Sequence, residues 1–413
     1  MKILFYPYHI GAGNSKNPLP IAAGCPQNPA RNLRELKSEL RTCTHNVGNI
    51  IHVEAPSRSL QYDKFNSCFT FFSELYEQYN GDIVAIAKEV SKKYDAVVIS
   101  EANVIRFHGR NKVESEANTK RLSIIADILN ELTVPFYVMG VGVQTKTPPI
   151  LEDFDKNIVK FLKVCESKAA LFAVRGRASR DWLRAAGINN VVVLGCPSMF
   201  VYPENILAIE APKKKLSVDL SIVTAGYLRD LTFKYDRCRS QVILNLSKLG
   251  SVHYVFQDDI YQNDEIDDSL PIYNEASGAV NKEYVDRYLL SKGFCAPEFV
   301  SYRHFRNSNA WRQFLSSQDL YFGDRLHCGI ASMQASVPSI LIYDDLRVEE
   351  IVSLFSIPSI SLGELKRDFN FDEIITEKLS RSSLEGFKEN YVERYSYYVN
   401  SLRKVGLNIF KRI

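Results

Sequence analysis

Short apolar runs recur along the chain between longer segments in which apolar positions return every three or four residues. In the first half the runs fall at residues 2–6, 95–99, 135–139, 170–174 and 191–194. Each after the first follows a helix-length periodic segment, a pattern that predicts strands alternating with helices in a parallel sheet. A second series predicts strands at 220–223, 254–256, 299–302, 320–322 and 340–343. Between the two series, residues 203–215 hold Pro203, Pro212 and Lys213-Lys214-Lys215 and read as a solvated linker. Residues 372–404 are charge-rich and periodic, and read as helix packing back across the first domain. The chain therefore divides into two α/β units, 1–205 and 206–413, each long enough for its own core.

Parallel sheets bind ligands at the carboxyl ends of their strands, so the loops there hold the candidate chemistry. The most informative loop is Gly323-Asp324-Arg325-Leu326-His327. A buried strand breaks at Gly323, Asp324 is placed to cap, and a small-residue helix runs over 326–336 until Val337-Pro338 ends it. Arg325 and His327 thus sit at a helix start, where free N–H groups favour anions and where Arg offers a fixed fork of donors and His a titratable nitrogen. The plainer alternative pairs Arg325 with Asp324 or Asp344 and leaves His327 a satisfied core residue; Cys328, Ile330 and Met333 read as core.

Arg175 and Arg177 open a helix predicted over 178–186, and two guanidiniums there suit a phosphate or carboxylate. Salt bridges to Asp181 or Glu166 are the alternative. Glu101-Ala102-Asn103 and Gly195-Cys196-Pro197-Ser198 follow other strands. Gly140-Val141-Gly142-Val143-Gln144 either lets a ligand approach the backbone or only permits a tight turn, and Gln144 either bonds a hydroxyl or meets water. Asn46-Val47-Gly48-Asn49 either binds or caps. His9-Ile10-Gly11-Ala12-Gly13 begins like a phosphate loop but lacks a third glycine and a following helix, with Pro18 and Pro20 intervening.

The formal net charge of +3 argues against a nucleic-acid protein relying on a strongly basic surface. The 8 cysteines, at 25, 43, 68, 165, 196, 238, 295 and 328, form no CxxC pair and no cluster of zinc spacing, and read as free thiols of a reducing cytosol. No apolar run approaches the roughly 20 residues that span a bilayer, and the start shows no leader pattern, so a soluble cytoplasmic protein is expected, with peripheral contact at the inner face of a membrane left open.

Taken in order, Asn46-Val47-Gly48-Asn49, Gly140 to Gln144, Val174-Arg175-Gly176-Arg177 with Ser179, Gly195 to Ser198, and Gly323 to His327 with Pro338 and Tyr343-Asp344 resemble the polysaccharide pyruvyl transferase family. The Arg-Leu-His segment is the most specific of the set. The resemblance implies two Rossmann-like domains facing a cleft, similar to the GT-B arrangement. Family members move the enolpyruvyl carbons of phosphoenolpyruvate onto two hydroxyls of one sugar, leaving a cyclic pyruvate ketal and free phosphate. Phosphoenolpyruvate is then the co-substrate, with no further cofactor and no metal. The acceptor is a sugar of a surface polysaccharide or of its lipid-linked or nucleotide-linked precursor.

On that resemblance Arg325, Arg175, Arg177 and His327 hold the donor, Arg325 and His327 are catalytic, and His327 is the proton donor. Glu101, Asp258 and Asp344 are the candidate bases, and Asn46, Asn49, Glu101, Asn103 and Gln144 face the acceptor. One departure stands out: members often carry an acid after the first glycine motif, whereas Asn49-Ile50-Ile51 follows here. The alternatives are a GT-B-type glycosyltransferase using a nucleotide sugar and a sugar- or anion-binding subunit without turnover. The 22 Tyr and 23 Phe are compatible with sugar stacking, but most of them read as core.

Overall fold

The computed structural model describes residues 1–6, 46–102, 105–106, 112–144, 155–213, 219–226, 234–257, 273–274, 277–291, 298–365, 370–410 and 413. The His9–Gly13 segment, Asn103, Asp258, Lys214 and Lys215 lie outside these residues, as does the side chain of Gln144.

The first series of runs forms β1 (Ile3–Tyr6), β2 (Cys68–Phe69), β3 (Ala96–Ser100), β4 (Ile105–Arg106), β5 (Phe136–Val141), β6 (Val143–Gln144), β7 (Leu171–Val174) and β8 (Val192–Val193). Six of them make an all-parallel sheet in the order β2-β1-β3-β5-β7-β8, and β4 pairs with β6 alone. Every residue of β1, β3, β5 and β7 is buried, as a parallel sheet covered by helices on both faces requires.

The second series forms β9 (Ser221–Thr224), β10 (Ser251–Phe256), β11 (Tyr273–Asn274), β12 (Ala279–Val280), β13 (Ser301–His304), β14 (Leu320–Gly323), β15 (Ser339–Tyr343) and β16 (Ser359–Ser361). Their order is β11-β12-β13-β10-β9-β14-β15-β16, parallel except where β12 meets β11 and β13. The expected parallel α/β architecture is therefore present twice. Periodicity alone missed β2, β4, β6, β11, β12 and β16, strands of two or three residues that are too short to show a period.

Two expectations change in detail. Residues 203–207 are not solvated linker: Pro203–Leu207 is a short helix with Pro203 and Ile206 buried, entered through Tyr202 at φ 56. The predicted C-terminal helix is two, Phe371–Lys378 and Arg381–Lys404, with Ser380 capping the second by accepting from the Ser383 amide. The second helix returns to the first half. Tyr391 donates to the Met199 carbonyl at 2.7 Å, and the Phe200 and Tyr398 rings stack with centroids 3.9 Å apart. Beyond the helix, the Phe410 amide donates to the Ser59 carbonyl at 2.9 Å and Ile409 bridges Leu60.

A buried polar clamp also joins the two halves. Glu54, fully buried, takes Arg58 at 2.6 Å from its own side, and from the other side Ser308 at 2.7 Å and the Arg312 guanidinium. Arg312 further donates to Gln334 at 2.7 Å, and Gln334 to the Ser198 carbonyl at 2.6 Å. These contacts bring the carboxyl ends of the two parallel sheets against one another.

Candidate functional site

Three side chains from distant parts of the chain meet at this seam. His52 lies in the helix Asn49–Val53, Cys196 follows β8, and His327 is the second residue of the helix Leu326–Gln334. His52 Nδ1 is 3.2 Å from Cys196 Sγ, which is 3.9 Å from His327 Nε2 and 2.8 Å from Ser198 Oγ. His52 and Cys196 are buried and His327 is half-buried at the lip. Gly140, at φ +76, is what admits His52, since a Cβ there would stand 2.5 Å from the imidazole Cε1.

Burial holds all three groups neutral. The His327 imidazole is pushed down to about 3 by burial and by the Arg175 and Arg347 guanidiniums. His52 is held well below the usual range by burial, with His327 and Arg175 adding to it. Burial raises the Cys196 thiol, against the opposing hydrogen bonds of Ser198 and the charge of Arg175. A thiol and two uncharged imidazoles thus face one another at neutral pH.

Arg175 is the cation closest in effect to this cluster. It is 5% exposed, and its Nε donates to Glu350 Oε1 at 2.7 Å across the seam. Ser179 holds the same carboxylate through its hydroxyl at 2.9 Å and its amide at 3.2 Å. A Cβ on Gly142 would come 2.0 Å from Arg175 Nε, and one on Gly176 would come 2.2 Å from Glu350 Oε2, so both glycines are required by side chains rather than by a ligand. Arg175 Nη2 is buried and has no hydrogen-bond partner among the described residues. The Asp181 and Glu166 alternatives fall away: Asp181 takes Arg180 at 2.7 Å and Glu166 accepts from the Asn189 amide at 2.9 Å. Arg177 is exposed at the first position of its helix, Arg177–Ala185.

Arg325 is 7% exposed and itself occupies the N-cap position, with extended backbone. The expected cap, Asp324, is turned elsewhere: it lies 3.9 Å from Arg325 Nε and 3.5 Å from Arg239 Nε. Arg239 also reaches Asp344 at 3.9 Å, so the candidate base Asp344 sits in an ionic cluster at the ends of β14 and β15. Arg347 pairs with Asp345 at 2.7 Å beside it. Glu101 is bound by Arg121 at 2.5 Å, and Arg121 also donates to Tyr6. Asn46 accepts from the Gly48 amide at 2.8 Å in the turn ahead of the helix that Asn49 opens and that carries His52; that helix has Gly48 at its N-cap and no side-chain cap.

The structure thus brings Arg175, Arg325 and His327 to one seam and leaves Arg177 at its rim. The sequence reading missed His52, Glu350 and Arg239. No spacing could have shown them, since Cys196 is 144 residues from His52 and 131 from His327.

No helix among the described residues is long and apolar enough to cross a membrane. No curated protein sequence matches the chain. Among solved structures it is similar to Anabaena HepE in complex with UDP-glucose, with TM-score 0.45, 14% identity and 98% of each chain covered. It is also similar to S. aureus MnaA with UDP, with TM-score 0.42, 10% identity, and 98% of this chain and 95% of that one covered. The family model for polysaccharide pyruvyl transferases matches residues 45–345, a span that includes His52, Arg175, Cys196, Arg325 and His327 but neither Arg347 nor Glu350. The chain belongs to the polysaccharide pyruvyl transferase family.

Proposed function

We propose that this protein transfers the enolpyruvyl group of phosphoenolpyruvate to two hydroxyls of one sugar, in a surface polysaccharide or its lipid-linked or nucleotide-linked precursor. The observation that carries the reading is Arg175: a buried guanidinium, fixed by a carboxylate on one edge, with one nitrogen that has no hydrogen-bond partner among the described residues and a charge that acts on His327. A donor with a carboxylate and a phosphate supplies the acceptor oxygen that this nitrogen lacks, and Arg325 offers a second cation from the facing half. Residues 1–205 then carry the acceptor side, with Asn46, Asn49 and Glu101, and residues 206–413 the donor side. The transfer balances without any other reagent. One sugar hydroxyl adds to the carbon bearing the carboxylate while its proton goes to the methylene carbon; the second hydroxyl then displaces phosphate, which leaves with that hydroxyl's proton, and closes the ketal.

His327 is neutral in the free protein, so it is not yet an acid. The arriving phosphate and carboxylate oppose the field of Arg175 and Arg347 and raise its basicity, which lets it carry the proton between acceptor hydroxyl and donor. The described cysteines, Cys68, Cys165, Cys196 and Cys328, are free, in keeping with a reaction placed in the cytoplasm. The test is incubation with phosphoenolpyruvate and candidate acceptors, read as phosphate release together with acid-labile bound pyruvate. Loss of both products in Arg175→Ala and Arg325→Ala is expected. Thermal stabilisation by a nucleotide and none by phosphoenolpyruvate would overturn the reading in favour of a glycosyltransferase.

A further inference from the structure

The imidazole–thiol–imidazole cluster has a second chemical capacity. Among the described residues, His52, Cys196 and His327 are the group of side chains whose ligand atoms converge as metal ligands do, all lying within 4.8 Å of one another. Zinc bonds of about 2.0–2.1 Å to nitrogen and about 2.3 Å to sulfur place neighbouring ligands of a tetrahedron roughly 3.3–3.6 Å apart. The two edges through Cys196, at 3.2 and 3.9 Å, bracket that separation. The remaining edge, between the two imidazole nitrogens, is within 4.8 Å, and it joins buried His52 to His327, the half-buried member of the three. Ser198 Oγ, 2.8 Å from the sulfur, is placed to donate to a bound thiolate as an outer partner.

The surroundings do not repel a cation as strongly as their arginines suggest. Arg175 carries Glu350 at 2.7 Å, Arg347 carries Asp345 at 2.7 Å, and Arg325 has Asp324 at 3.9 Å. Arg175 and Arg347 therefore each have a carboxylate, Arg325 shares Asp324 with Arg239, and the thiolate formed on binding supplies one further negative charge.

We propose that His52, Cys196 and His327 form a binding site for a thiophilic divalent cation of the zinc class, with its fourth position open to the seam between the two halves. Binding breaks the Cys196 S–H bond, forms a metal–sulfur bond and releases that proton to solvent. The ion occupies the His327 lone pair, so ion binding and proton carriage by His327 exclude one another.

The experiment is a titration of the full-length, reduced and chelator-stripped protein with cobalt(II), followed by displacement with zinc. One cobalt per chain is expected, with a sulfur-to-cobalt charge-transfer band in the near ultraviolet and the visible bands of a four-coordinate ion. The charge-transfer band should vanish in Cys196→Ser, and the affinity should fall at least about tenfold in His327→Gln, whose lip position leaves the fold intact. A wild-type protein without the band, a Cys196→Ser protein that keeps it, or a His327→Gln protein of unchanged affinity would overturn the site. The readout is spectroscopic, so it stands or falls apart from any pyruvyl transfer activity.

Discussion

Arg175, at the end of β7, and Glu350, in the helix Leu346–Phe355, are hydrogen-bonded at 2.7 Å across the seam between the two sheets, both side chains almost wholly buried. Removing one partner of such a pair strands the other charge, which costs about 3–5 kcal/mol. Glu350→Ala should lower the unfolding free energy, read from the shift of the urea midpoint, by that amount, whereas Glu350→Gln, which still accepts from Arg175, should lose less. Equal midpoints for wild type and Glu350→Ala would show that the pair contributes nothing.

The slot around this pair makes a separate prediction. A methyl on Gly142 would overlap the Arg175 guanidinium, so Gly142→Ala must displace it. Stabilisation of the protein by phosphoenolpyruvate, read as a thermal shift, should fall in Gly142→Ala while the circular dichroism spectrum stays native. An unchanged shift would mean that Arg175 does not touch the donor.

Stability should decline in mild acid. His327 and His304 are pushed down to about 3, and His52 well below its usual range, mainly by burial. An unfolded chain binds protons on these imidazoles as pH falls through about 6.5, while in the folded chain His327 and His304 do not until near 3 and His52 stays neutral well below its usual range. His327 and His304 therefore each contribute stability that is complete above about 6.5 and lost on going down to about 3, at up to about 1.4 kcal/mol per pH unit, and His52 acts in the same direction. Urea midpoints measured between those limits check the slope, and His304→Phe should flatten it.

The Glu54–Arg312 clamp and the Arg381–Glu385 pair offer a direct contrast. Glu54 has 0% and Arg312 9% side-chain exposure, whereas Arg381 has 91%. Glu54→Ala should cost about 3–5 kcal/mol and Arg381→Ala should leave the stability unchanged, both read by chemical unfolding. Similar losses would contradict the burial argument.

The strands were legible because buried parallel strands are written as unbroken apolar runs, and β1, β3, β5, β7, β14 and β15 all appear where such runs lie. The helix at Leu326 was legible from its glycine and proline boundaries, although Asp324 does not cap it. Arg175, Arg325 and His327 were legible as residues following strands. Asp324 was legible as a neighbour of Arg325, 3.9 Å away, but the partners of Arg175 and His327 were not, because Glu350 lies on a helix face whose pattern reads only as amphipathic, and His52 reads as one more position in a short helix. A sequence shows which side chains reach the edge of a sheet, but the pairing of two sheets is decided by packing between segments far apart in the chain.

The return of the helix Arg381–Lys404 to the first sheet has a consequence for synthesis on the ribosome. Tyr137 donates to the Val405 carbonyl at 2.9 Å, and Phe200 finds its stacking partner in Tyr398. The first sheet is therefore translated early and completed late, and until the last helix has emerged the Phe200 ring and its apolar neighbours stand uncovered. A nascent chain paused before that helix is the species most exposed to aggregation and to chaperone capture.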